Sequence, residues 1–239
     1  ANTFMLTSKK SLLIFILVFT IKTASAASTF LAPKLDRSRI IYPEESTGGV
    51  SLQIKNKNKF PVLVQAKVIN EEGNKNVDFF IVTPPIFRLN QDEQTRIRVI
   101  LTNKSEIPKD REKMFWLCVK AIPPESKVNL LTRVEMVPNE CIKLFARPSS
   151  LSGLLTSDVP KIRWVHYKNT VIAKNNTPYY IVFNKLIIGG GELNMPGYLP
   201  PYGEQRYKVN NTKYNHIKYN IIDDNGGISD MYEQSIHMQ

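Results

Sequence analysis

Two cysteines and three histidines (His166, His216, His237) are all the thiol and imidazole metal ligands that 239 residues provide. That excludes a four-cysteine zinc module and a disulfide-dense miniprotein, and it argues against any histidine-rich metal site. Eleven glycines without a repeat exclude collagen-like structure. A content of 42% hydrophobic and 22% charged residues excludes long disorder. A length of 239 residues allows one large domain or two of about 100 residues, each with its own core.

Long apolar runs are also scarce. The one present, Leu12–Ile21, follows Lys9 and Lys10 and precedes Ala24-Ser25-Ala26. Basic region, short apolar stretch and small residues make the order of a secretory signal, expected to cover 1–26 and to be cleaved before Ala27. A membrane-spanning helix needs about 20 apolar residues, and this run reaches half of that. Stable membrane insertion is therefore not expected. In an oxidising compartment Cys118 and Cys141 are the only pair available for a disulfide, the alternative being two buried thiols. Closing the loop between them contributes about 3 kcal/mol in the chain-entropy view.

Helical periodicity is missing after residue 27, and strand signals take its place. Val50, Leu52 and Ile54 alternate with polar residues, as do Ile97, Val99 and Leu101. Further β-rich runs fall at Val62–Ile69, Phe79–Val82, Met114–Ala121, Val128–Val137 and Ile142–Ala146, with proline and asparagine between them. That density fits an immunoglobulin-like sandwich. Turn-formers at Arg147-Pro148-Ser149-Ser150 interrupt the pattern. Strands then resume at Lys161–Tyr167, Val171–Lys174, Tyr179–Ile188, Gln205–Val209, Ile217–Ile222 and Ile228–Ile236. The expectation is all-β: two sandwich domains, 27–150 and 151–239, without a clean internal repeat.

Catalytic signatures are absent. Gly189-Gly190-Gly191 lacks the Lys-Ser/Thr of a phosphate loop and reads as a turn. There is no Gly-x-Ser-x-Gly or His-Glu-x-x-His. Asp223-Asp224 flanks a turn, where aspartate is common for local bonding. No enzyme, cofactor or metal is expected. The net charge of +11, or +8 without the leader, raises nucleic acid as a partner, and lysines interleave with aromatics around Phe60 and Tyr207–Tyr219. Lysines on alternate strand positions are also an ordinary solvated face, and export argues against a nucleic-acid target. Asn103-Lys104-Ser105, Asn175-Asn176-Thr177 and Asn210-Asn211-Thr212 match the glycosylation sequon by a pattern that abundant asparagine makes common.

Several short strings in one order resemble the periplasmic chaperones of the chaperone–usher pathway. They are Leu35-Asp36-Arg37-Ser38-Arg39, Thr83-Pro84-Pro85-Ile86-Phe87-Arg88-Leu89, Asp110-Arg111-Glu112 and Ile122-Pro123-Pro124. Ile142-Lys143-Leu144-Phe145-Ala146-Arg147-Pro148, Asn176-Thr177-Pro178-Tyr179-Tyr180 and Asp224-Asn225-Gly226-Gly227 complete the series. Ala146 departs from the pattern where a larger residue is common.

The resemblance implies two immunoglobulin-like domains in an L shape and a periplasmic location. It also implies a client, a fimbrial or surface-fibre subunit lacking its last strand, which is delivered to an outer-membrane usher. Val128, Leu130, Val134 and Met136 share one parity and form the candidate donor strand, with Thr132 in the middle of the row. Packing inside the first domain is the alternative for that row. Arg39 and Lys143 correspond to the two cleft residues that hold the subunit's C-terminal carboxylate. Glu112, Arg147 and Asp224 correspond to an ionic network that fixes domain orientation. The positions of Cys118 and Cys141 resemble the long-loop subfamily, in which a disulfide ties the strands at the base of the donor loop. An unpaired donor strand also exposes the free protein to self-association. The reading of a different class is a structural fibre subunit or adhesin, and a secreted hydrolase stands behind both.

Overall fold

The computed structural model describes residues 30–125, 137–210 and 214–239. The expected leader and the donor row Val128, Leu130, Val134 and Met136 lie outside the described residues. The first sandwich contains β1 (Lys34–Leu35), β2 (Arg39–Pro43), β3 (Val50–Lys55), β4 (Val62–Asn70) and β5 (Phe80–Thr83). It continues with β6 (Ile86–Leu89), β7 (Gln94–Leu101), β8 (Lys113–Ile122) and β9 (Asn139–Arg147). One sheet has the order β1-β3-β7-β5 and the other β2-β9-β8-β4-β6. The second sandwich opens with β10 (Arg163–Tyr167), β11 (Thr170–Lys174), β12 (Ile181–Ile188), β13 (Gly191–Glu192) and β14 (Tyr198–Leu199). Then come β15 (Glu204–Lys208), β16 (His216–Ile222), β17 (Tyr232–Ser235) and β18 (His237–Met238). Its sheets are β15-β11-β10-β18 and β13-β12-β16-β17, with β14 on β12.

Alternation explains the first core. Leu52 and Ile54 on β3, Ile97 and Val99 on β7, and Leu117 and Val119 on β8 are all fully buried between the sheets. The second core centres on Trp164, Phe183 and Tyr219, whose rings lie 5.3–5.8 Å apart. A third apolar cluster lies between the sandwiches: Met114 and Phe145 from the first meet Tyr180 and Val182 from the second, flanked by Ile41, Trp116, Tyr198 and Ile222. The large sheet of the first sandwich is therefore buried on one face by its own core and on part of the other by the second domain. That is why Leu144, Phe145 and Ala146 are buried in succession.

Two asparagines do the same job in the two halves. The Asn56 amide donates to the carbonyls of Phe60, Leu89 and Asn90 at 2.9–3.2 Å, and its oxygen accepts from the Asn58 backbone and side chain. The Asn175 amide donates to the carbonyls of Tyr179, Leu199 and Pro200, and its oxygen accepts from the Thr177 backbone and hydroxyl. Both are buried, so each satisfies loop carbonyls that water cannot reach. Asn175 is thus a structural hub, its amide fully engaged, and not an accessible sequon. Asn175→Ala should lower stability by about 3 kcal/mol, because several buried groups lose partners at once. Urea unfolding measures it; a loss below 1 kcal/mol would refute the hub.

Gly189 and Gly190 form the turn between β12 and β13, and Gly191 opens β13. Gly189 has φ +58°, and a Cβ there would sit 1.9 Å from the Tyr214 ring, so a side chain is excluded by space as well as by backbone. Asp223 accepts from the Asn225 and Gly227 backbone amides, which gives that carboxylate a turn-forming role.

Candidate functional site: a cationic cleft between the sandwiches

Arg39 is the first residue of β2 and its Cα partner on β9 is Lys143, so the parallel pairing puts both side chains on one face of the sheet. The same face carries the opposed pairs Trp116–Lys143, Met114–Phe145 and Cys118–Cys141 between β8 and β9. Arg39 is 8% exposed. Its Nη1 donates to the Ile222 carbonyl of the second sandwich at 3.1 Å, its guanidinium stands 5.5 Å from the Phe145 ring centre, and its Nε has no hydrogen-bond partner among the described residues. Lys143 Nζ lies 4.7 Å from the Trp116 ring and 5.9 Å from the Tyr198 ring.

Neither cation has a carboxylate at ion-pair distance among the described residues. Burial pulls the Lys143 pKa below its ordinary value, and the Arg39 charge pulls it further. Burial acts on Arg39 in the same direction, opposed by the fields of Asp224, Asp223 and Glu112. Those carboxylates serve elsewhere. Arg147 Nε donates to Glu112 at 2.7 Å, while its Nη1 and Nη2 form a fork on Asp224 at 2.8 and 2.9 Å. The second Glu112 oxygen accepts from the Tyr180 backbone amide at 2.8 Å. Glu112 and Arg147 stand at the ends of β8 and β9, and Asp224 follows β16, so the network joins the two sandwiches. Burial raises the Glu112 pKa and Arg147 opposes it, whereas its two acid partners hold the Arg147 pKa above the ordinary arginine value.

The edge of β9 is divided. Along one side β8 pairs with it from Asn139 to Ala146, but on the other side β2 pairs only from Lys143 to Arg147. Upstream of β2 the chain turns away at Asp36–Ser38, and β1 joins the opposite sheet through β3. Asn139–Ile142 is therefore left with an open edge among the described residues, beside a shallow cavity of about 530 Å³ lined by residues 32–38 and Glu140. Cys118 and Cys141 are disulfide-bonded there, fastening β9 to β8 where β9 has no other strand neighbour among the described residues.

Periodicity gave no hint of three further participants. Trp116 and Tyr198 wall the lysine, and Glu71, in the turn after β4, hydrogen-bonds both tyrosines of the junction. The one available signal was parity: Trp116 shares its strand face with Cys118. No group of His, Cys, Asp and Glu side chains is gathered to hold a metal, and no helix is long and apolar enough to cross a membrane, among the described residues.

The structure is thus two immunoglobulin-like sandwiches with a cation pair at their junction that has no carboxylate partner among the described residues. Residues 33–152 match the family model described as the pili and flagellar-assembly chaperone PapD N-terminal domain, and residues 159–233 match the pili assembly chaperone PapD C-terminal domain. The chain belongs to the PapD family of pilus assembly chaperones, a family of chaperones and not of enzymes. It is 32% identical over 236 residues to chaperone protein CssC of Escherichia coli, covering 94% of this chain and 98% of the relative. It is 31% identical to chaperone protein PsaB of Yersinia pestis over 85% of this chain and 83% of that protein. Among solved structures, a chain of the Salmonella enterica SafA pilin–SafB chaperone complex superposes with TM-score 0.77 at 29% identity, over 87% of this chain and 97% of that one. The Escherichia coli chaperone DraB superposes with TM-score 0.73 at 31% identity, over 85% and 96%.

Proposed function

We propose that the protein is a periplasmic chaperone that captures an incomplete fimbrial or surface-fibre subunit by lending it a strand, then delivers it to an outer-membrane usher. The observation that carries this reading is the position of Arg39 and Lys143 at the point where the open edge of β9 stops and β2 begins. A client strand occupying that edge continues the line of β2. If it runs parallel to β9, as β2 does, its C-terminus arrives at the two cations. Its terminal carboxylate then supplies the anion that the cleft lacks, through charge-assisted hydrogen bonds in a half-buried site. The anchor also fixes register, because a slip of one residue turns every side chain to the wrong face.

The donor row supports the same geometry. Val128, Leu130, Val134 and Met136 share parity with Ile142, Leu144 and Ala146, the core-facing residues of β9. On an extended continuation of β9 they present an apolar row in line with the first core, ready to fill the groove of a sandwich that lacks a strand. Such a groove left open aggregates, which is the physical need for a chaperone. The leader-like residues 1–26 and the disulfide agree with a periplasmic setting, and the Glu112–Arg147–Asp224 network fixes the domain orientation on which the cleft depends.

Affinity capture from the periplasm tests the reading. Wild type should bring down a β-rich subunit encoded with it, while Arg39→Ala and Lys143→Ala, still folded, should lose it. Variants that retain the subunit would show the anchor to be elsewhere; a wild type that captures no co-expressed subunit would favour the fibre-component reading.

A further inference from the structure

The carboxylate anchor proposed above depends on how its two cations are held, and that support converges on one residue outside it. Glu71 Oε2 accepts from the Tyr180 hydroxyl at 2.9 Å, and Oε1 accepts from the Tyr198 hydroxyl at 3.0 Å. Its own carbonyl accepts from the Trp116 indole Nε1 at 2.9 Å. Trp116 and Tyr198 are the two aromatic walls of Lys143. Tyr180 lies against Tyr198 at 5.8 Å and against Phe145 at 5.4 Å, and Phe145 lies under Arg39. A turn of the first sandwich therefore ties one wall by its main chain and the other, across the junction, by its side chain.

We infer that Glu71 is a positioning residue for the anchor: with Tyr180 and Tyr198 it forms a second interdomain lock that holds the rings around Lys143 and Arg39 in the geometry needed to meet one carboxylate. The Arg147 network is the first lock. The Arg39–Ile222 hydrogen bond and the apolar cluster also join the sandwiches, but neither is a directional bond to Tyr198, which reaches Lys143 from the second sandwich. The Glu71 bonds supply that directional tie. The chemistry suits a fixed clamp. Each Glu71 oxygen has its own phenol donor, and burial together with the carboxylate pushes Tyr198 up to about 12, so the hydroxyl stays protonated through the physiological range. Glu71 also leaves the lysine free: the depression of Lys143 comes from burial and Arg39, and no carboxylate offsets it. The lock thus shapes the site without neutralising it.

The test separates this inference from the anchor on which it rests. The probe is a synthetic twelve-residue peptide of alternating valine and threonine, with its C-terminus either free or amidated, titrated against wild type, Tyr180→Phe/Tyr198→Phe and Glu71→Gln. The tyrosine variants keep every ring and remove only the hydroxyls. Wild type should prefer the free acid by about tenfold, in line with a charge-assisted contact. In the double variant the preference should fall to about twofold while affinity for the amide is unchanged, and Glu71→Gln should fall between. A double variant that keeps the wild-type preference overturns the lock. So does an equal loss for acid and amide, or a single Tyr198→Phe variant, used if the double fails to fold, that keeps the full preference. A wild type without any preference refutes the anchor itself.

Discussion

Lys143→Met should abolish stable client capture while leaving the free protein as stable as wild type or slightly more so. The two halves of that expectation have one cause. In the free protein Lys143 sits beside Arg39 in a half-buried cleft with no carboxylate partner among the described residues, so its charge is held at a cost. A methionine of similar length keeps the contacts with Trp116 and Tyr198 and removes the repulsion. On the proposed anchor, the same charge meets a carboxylate in the complex, and deleting one partner of such a pair costs about 3 kcal/mol, close to a hundredfold in affinity. The pH dependence carries a sign. The folded Lys143 pKa is below the unfolded value of 10.5, so between the two the unfolded chain binds more protons and stability of the free protein rises with pH. Urea unfolding across that alkaline window should show the rise in wild type and not in Lys143→Met. A variant that loses client and stability together would mean that Lys143 is structural.

Arg147→Ala should have the largest effect on folding, about 3–5 kcal/mol, because it strands the Glu112 carboxylate, whose side chain is only 2% exposed. Glu112 keeps the Tyr180 amide but loses the guanidinium, and the fork on Asp224 disappears with it. Burial already raises the Glu112 pKa, and without Arg147 the Tyr180 amide is what still opposes the rise. A raised carboxylate pKa means that the folded state holds its proton more firmly, so stability in the variant falls as pH climbs from 4.5 through the raised value. The deficit against wild type should therefore shrink in acid. Adding Glu112→Gln should recover part of it at neutral pH. Denaturant unfolding of the three proteins at pH 5 and 7.5 checks both points; a pH-independent deficit unaffected by the second substitution would refute the stranded-charge account.

Legibility in the sequence followed burial pattern. Strands with one wet face, such as β3 with Leu52 and Ile54 or β7 with Ile97 and Val99, announce themselves by alternation. β2 does not, because Ile40 and Tyr42 enter the first core while Arg39 and Ile41 enter the junction, which leaves no polar phase to read. β6, β14 and β18 are too short for any period.

The site was legible only in part. Arg39 and Lys143 are 104 positions apart, and no local pattern pairs them; the family-like strings around each did. Glu112, Arg147 and Asp224 came the same way, and side-chain bonds join them here. Glu71 and Tyr198 lay in a turn and a two-residue strand, where composition looks like any surface loop. Asn56 and Asn175 inverted the usual rule that polar loop residues face water, because their burial is set by carbonyls supplied from distant segments.

The central claim is that a client strand runs parallel to β9 and ends at Arg39 and Lys143. It is tested most directly by moving that end. The client subunit is co-expressed once with its natural C-terminus and once extended by three glycines, and the amount co-purifying with wild-type chaperone is compared. The account predicts that the extended subunit is lost from the complex, because its carboxylate no longer meets the cations while its strand is in register. Equal recovery of both would contradict it.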